Sequence, residues 1–252
     1  ARCRKLFPFW SVEAWEAWRP PADPPPAIQF GHCQLDLAHV KNAISKDRRL
    51  QLKQTVHNLP ALMTLAEHPS LVLTTGEAGH STAIAVMQTL MLRFLTAAPP
   101  GKVRFTIFDP LGLGDNFSAF MHLTDYDELL VTSRIWTESR HIEERLADLT
   151  EHMENVIQKY LRSEFETILD YNEVAGEVAE PYRVLVIANF PANFTDAASR
   201  RLSAITAGGA RCGVYTIAWI DRTLRMPHDF PIDEWLANAA HLDWNSGTFV
   251  WR

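Results

Sequence analysis

The stretch Thr74-Thr75-Gly76-Glu77-Ala78-Gly79-His80-Ser81-Thr82 has the residue types and spacing of a loop that could cradle a phosphate. It follows a short apolar run, Leu71-Val72-Leu73, and leads into a helix-forming segment from about His80 to Thr96, closed by Pro99-Pro100-Gly101. At such a junction, backbone amides and the positive end of the helix dipole can hold an anion without specialised side chains. Against the P-loop template of Gly, four residues, Gly, Lys, then Ser or Thr, Gly79, Ser81 and Thr82 fit, and Thr75 and Gly76 lie within the turn. Thr74 stands where the first glycine belongs and His80 where the lysine belongs. An imidazole is shorter than a lysine and largely neutral at pH 7, so it does not supply the charge that the outer phosphates require. Glu77 opposes binding further, because a carboxylate about 4 Å from a phosphate oxygen costs roughly 4 kcal/mol at an effective dielectric near 20. The expectation is a P-loop-shaped turn that has lost its chemistry, with ATP and Mg²⁺ disfavoured as cofactors.

A P-loop NTPase also needs an acid at the end of a central strand to hold Mg²⁺. The apolar run Arg183-Val184-Leu185-Val186-Ile187 ends instead in Ala188-Asn189-Phe190-Pro191. Neither Ala188 nor Asn189 offers a carboxylate. Asp109 closes a neighbouring strand-like run but precedes Pro110, the position of a turn residue. No catalytic residue and no metal site is therefore assigned. His141 and His152 lie on one helical stripe yet about 16 Å apart at the helical rise, too far for one ion, and they read as solvated surface groups. Gly112-Leu113-Gly114-Asp115-Asn116 reads as a turn, and no Ser-His-Asp or Cys-His arrangement stands out.

The elements that would position this loop read as an α/β sheet. Val103–Phe108, 183–187 and 214–220 are strand-like, Leu129-Leu130-Val131-Thr132 reads as a further short strand, and helical patterns lie between them. The strongest stripe is Ile142, Leu146, Leu149, Met153, Val156, Ile157 and Tyr160. Its opposite face, with Glu143, Glu144, Asp148, Glu151 and Glu154, reads as solvated or partner-facing. Four segments are expected: a Trp-rich helix and proline linker (1–26), a small strand-rich layer (27–58), the main domain (59–240) and a terminal hairpin turning at Asn245-Ser246-Gly247 (241–252). The small layer rests on alternation in Ala27–Leu37 and Leu50–Val56. The initial Ala1 and the strand-like end at Trp251-Arg252 suggest part of a longer polypeptide that continues into a further domain.

With 24 Lys+Arg against 30 Asp+Glu, the formal charge of -6 speaks against a protein whose main task is gripping phosphate backbones. Lys41, Lys46, Arg48, Arg49 and Lys53 nevertheless form a local basic patch. The three cysteines are scattered, no apolar run is long enough for a membrane span, and a cytoplasmic setting is expected.

The order of these pieces resembles the motor domain of FtsK/SpoIIIE-type DNA translocases over roughly 59–222. The matching pieces are Leu59-Pro60-Ala61-Leu62 with Leu71-Val72-Leu73, Thr106-Ile107-Phe108-Asp109-Pro110, Glu151-His152-Met153-Glu154, Tyr171-Asn172, and Arg211-Cys212-Gly213-Val214 leading to Ile220-Asp221-Arg222. The resemblance implies a RecA-like P-loop fold, a mostly parallel sheet with helices on both faces. It implies a Walker-B-like position at Ala188 and Asn189, and a sensor-like position at Asp221 where the family has glutamine. It also implies sister ATPase domains or homo-oligomer subunits as partners, and DNA through a parent assembly. The expected role is a non-hydrolysing module for assembly or regulation. The alternatives are an active ATP-dependent translocase subunit in which His80 and Asp109 replace the usual pair or a neighbour completes the site, and a DNA-contacting clamp using the basic patch.

Overall fold

The computed structural model describes residues 3, 6–50, 52–162 and 164–252, except for the side chain of Arg48. Its centre is a six-stranded sheet in the order β4-β5-β6-β3-β7-β8. The strands are β3 (Ser70–Thr75), β4 (Val103–Phe108), β5 (Tyr182–Phe190), β6 (Val214–Asp221), β7 (Ala240–Asn245) and β8 (Thr248–Trp251). All pairings are parallel except β7 with β8. Every residue of β3 and β6 is buried, the signature of strands covered on both faces.

Five α-helices and a hairpin cover this sheet. From β3 the chain crosses to the far edge at β4 through α2 (His80–Ala97), after the short α1 (Val12–Glu16) earlier in the chain. It then returns through β5, β6 and β7 by way of α3 (Ser139–Val156), α4 (Ile168–Ala175), α5 (Asp196–Gly208) and α6 (Ile232–Ala237). Right-handed crossovers made in opposite directions place α2 on one face and the returning helices on the other. Phe94 of α2 accordingly stacks on Tyr215 of β6 at 5.8 Å. On the other face Glu143 of α3 meets α5, accepting the Thr195 hydroxyl at 2.7 Å and lying 3.7 Å from Arg201.

A two-stranded antiparallel hairpin, β1 (Ala27–Asp36) with β2 (Val56–Thr64), packs against α2. Ahead of it, Ser11 caps α1, and Trp10 stacks on Trp15 at 5.1 Å. The Arg93 guanidinium of α2 lies 4.1 Å over the Trp10 ring, which docks this end of the chain on the main body.

Four expectations need correction. The second strand of the small layer is Val56–Thr64, not 50–56; Arg48–Leu50 is a single 3-10 turn. Leu129–Thr132 forms no regular strand, only an isolated bridge from Val131 to Phe105; a second bridge, from Trp136 to Phe108, lies beyond it. Glu143 is engaged by α5 rather than left to solvent. His152 is not a solvated group either: its side chain is 13% exposed and 4.0 Å from Glu180. The terminal hairpin forms at Asn245–Thr248 as read, and through β7 it hydrogen-bonds directly to β3.

Candidate functional site

The loop Thr75–Thr82 joins the buried end of β3 to the first turn of α2, the junction expected for a phosphate cradle. Thr74 and Thr75 close β3 and are buried; Glu77, Ser81 and Thr82 are exposed. Gly79 caps α2 with φ 97°, a left-handed conformation natural to glycine. A Cβ there would fall within 2.5 Å of Cδ2 of Trp244, so the indole from β7 lies directly against the loop. Gly76 is unconstrained, since a Cβ would meet nothing within 4 Å. Gly79→Ala is thus expected to cost about 1–2 kcal/mol in urea unfolding, and Gly76→Ala no more than about 0.5.

His80 turns back onto the loop. Its Nε2 donates to the Gly76 carbonyl oxygen at 2.6 Å, and its ring packs 4.9 Å from that of Trp219. The Trp219 indole in turn donates to Thr75 Oγ1 at 2.7 Å. The side chain at the lysine position therefore closes on a carbonyl of the loop that a lysine would extend past.

Beneath the loop, Thr74 donates through its hydroxyl to Asp243 Oδ1 at 2.9 Å and lies 3.1 Å from His241 Nε2. Asp243 is also held by Arg222 and Arg252, each at 2.8 Å. Desolvation alone would raise its pKa. The hydrogen bonds from Arg252 and Thr74, with the Arg222 charge, outweigh this and leave it below the usual carboxylate value. Burial is the main force on His241 and lowers its pKa. Sequence reasoning missed Trp219, Trp244, Arg252 and Asp243 at this site; only the apolar turn signal around Asn245 marked that end of the chain.

Of the other assigned positions, Asp221 lies beside the loop, whereas Ala188, Asn189 and Asp109 lie farther across the sheet. Ala188 and Asn189 sit at the end of β5, with β6 between β5 and β3, so about 10 Å of sheet separates them from the loop strand. Ala188 is fully buried, and Asn189 adopts φ 54° next to the cis Phe190–Pro191 bond. Asp221 ends β6 beside Thr75, where its Oδ1 accepts from the Thr223 amide at 2.9 Å and hydroxyl at 2.6 Å. This makes a local turn of the sensor-like position. Asp109 ends β4, three strand spacings or about 14 Å from β3, fully buried, with both oxygens held by Asn116. A Cβ on Gly112 would fall within 2.5 Å of its Oδ1, so the loop closes over it. Among the described residues there is no group of three or more His, Cys, Asp or Glu placed to hold a metal, and no helix long and apolar enough to cross a membrane.

Comparison with known proteins places this geometry. The family model described as FtsK/SpoIIIE matches residues 42–224. None of the curated proteins matches the chain. Among solved structures, EssC (ATPases 2 and 3) from Geobacillus thermodenitrificans is similar at 18% identity and TM-score 0.56, covering 90% of this chain and 38% of that one. The cytoplasmic domain of the type VII secretion ATPase EccC from Thermomonospora curvata is similar at 16% identity and TM-score 0.59, with 91% and 25% covered. The pCW3 conjugation coupling protein TcpA, solved with ATPgS, is similar at 12% identity and TM-score 0.58, with 90% and 59% covered. At these identities the structures show the fold, a mixed α/β RecA-like ATPase architecture. The chain spans from a quarter to under two thirds of the length of these structures.

Proposed function

The chain belongs to the FtsK/SpoIIIE family, and from that premise we propose that it is a non-hydrolysing RecA-like module serving assembly or regulation within a larger translocase-like ATPase. One observation carries the reading: His80, at the lysine position, donates to Gly76 of its own loop and packs on Trp219. The residues present do not fit a magnesium nucleotide. The loop has a phosphate-cradling backbone but no ammonium, and Ala188 and Asn189 bring no carboxylate to the Walker-B-like strand end. Where the active alternative uses Asp109 of this chain, that carboxylate, just past the edge strand β4, is already enclosed by Asn116 and Gly112.

Within this reading, the RecA-like unit follows β2 and runs to about residue 240, 1–26 and the β1–β2 hairpin are attachments to it, and the partners are sister ATPase domains or further copies. Similarity to structures holding more than one ATPase domain supports that assignment. DNA is reached, if at all, through the assembly. The purified chain is expected to show no Mg²⁺-dependent ATP hydrolysis above buffer and no heat of ATP binding in the micromolar range by calorimetry. Robust hydrolysis that Ser81→Ala abolishes would overturn the proposal.

A further inference from the structure

We infer that Arg104 and Arg183, with His152 over them, form a binding site for a phosphate-type oxyanion at the end of the sheet remote from the loop. Each arginine is the second residue of its strand, and the two are direct partners in the β4–β5 pairing, about 4.8 Å apart along the backbone ladder. Partners in register project from the same face. Tyr182, the neighbour of Arg183, packs 6.3 Å from Tyr215 on the side covered by α2. Alternation along β5 sends Arg183, and Arg104 with it, to the other face, where α3 carries His152. The charges of both guanidiniums reach that imidazole.

Like charges set directly opposite on neighbouring strands oppose the pairing, so these two call for a counter-ion. Among the described residues neither guanidinium has a hydrogen bond or an ion pair. The Nε atoms of both arginines and Nε2 of His152 are enclosed and unpartnered. Glu180 lies 4.0 Å from His152, with its Oε2 accepting the Tyr160 hydroxyl at 3.4 Å. Asp148 is 56% exposed and held by Arg145 at 3.0 Å. Enclosed N–H groups are paired in folded proteins with protein, water or an ion, and here two of them belong to cations, which selects an anion. A tetrahedral dianion matches the charge of two guanidiniums and has oxygens for both forks at once, whereas a planar carboxylate is satisfied by one.

This site is separate from the loop. Strand β6 runs from Val214, the partner of Arg183, to Asp221, the partner of Thr75, a length of about 23 Å at the strand rise. An oxyanion held by the arginines neither needs nor fills the glycine turn. The inference therefore goes beyond the proposed function and is independent of whether the loop takes nucleotide.

Thermal melting of the 252-residue chain at pH 7 in rising inorganic phosphate, against chloride at matched ionic strength, tests it. A saturable rise in melting temperature is expected with phosphate and not with acetate. Arg104→Gln and Arg183→Gln should each weaken phosphate binding by roughly tenfold or more. Both should melt no lower than the native chain in chloride, because each relieves the like-charge pairing, so a lost response is not a lost fold. Phosphate should also shift the His152 imidazole resonances, identified by their loss in His152→Gln, and Ser81→Ala should respond like the native chain. An equal response to methyl phosphate identifies the ligand as a phosphate ester, and a response to inorganic phosphate alone identifies the free ion; both support the site. A native chain with no saturable response overturns the inference, as do arginine variants that respond like the native chain, or acetate acting as strongly as phosphate. So does loss of the response in Ser81→Ala, which would put the anion on the loop.

Discussion

Lowering the pH from about 6.5 to 4 is expected to remove about 3 kcal/mol of stability through His152 alone. Burial is the first cause of its low pKa, followed by the charges of Arg183 on β5 and Arg104 on β4, and together they bring it down to about 4. Glu180 at 4.0 Å does not offset them. The folded state thus keeps the imidazole neutral, whereas the unfolded chain protonates it near pH 6.5. The unfolded state binds the extra proton, so this stabilisation is complete above pH 6.5 and is lost progressively down to about 4. Urea unfolding at pH 7 and pH 4.5, for the native chain and for His152→Gln, isolates the effect. The native chain should lose more stability than the variant over this interval. Equal losses would show that the imidazole is not held neutral.

Asp243→Ala is expected to destabilise the fold by about 2–3 kcal/mol. The carboxylate is nearly buried and is the common partner of Thr74, Arg222 and Arg252. Removing one member of a buried, hydrogen-bonded charge cluster leaves the others unpaired, a change costing about 3–5 kcal/mol when full burial holds. Both guanidiniums are about half exposed and regain water, which moderates the loss. Because Asp243 keeps its charge below the usual carboxylate pKa, its contribution persists at pH 4 and fades only as pH falls further. This separates it from the His152 effect. Arg222→Ala combined with Asp243→Ala should cost less than the sum of the single changes.

Much of the sheet was legible because strands buried on both faces read as unbroken apolar runs; β5 and β6 are such runs. The loop was legible as strand, glycine-bearing turn and helix. The β2 strand was misplaced one segment early; it holds Pro60, which sits opposite His32 without breaking the pairing because each strand of a two-stranded ribbon is an edge. The alternation at 50–56 fell partly on a 3-10 turn, whose short repeat a periodicity of two cannot separate over so few residues.

The packing around the loop was not legible. Trp219 and Thr75 are 144 positions apart and meet only because β6 pairs with β3 in register, Thr74 with Ile220 and Thr75 with Asp221. Asp243 reaches Thr74 the same way through β7. His152 was read as solvated because helical spacing alone does not show that two arginines on neighbouring strands lie beneath it.

The interposed strand β6 bears on how the chain could change over generations. The lysine position opens α2 after β3, and the acid position ends β5, with β6 between the two strands. A return to lysine at 80 would have to give up the imidazole's seat on Trp219 and Gly76, with no acid waiting across the sheet. An acid at 189 would arrive with no lysine to serve. On the proposed reading neither step alone yields a selectable gain, so the quiet state of this loop acts as an evolutionary ratchet.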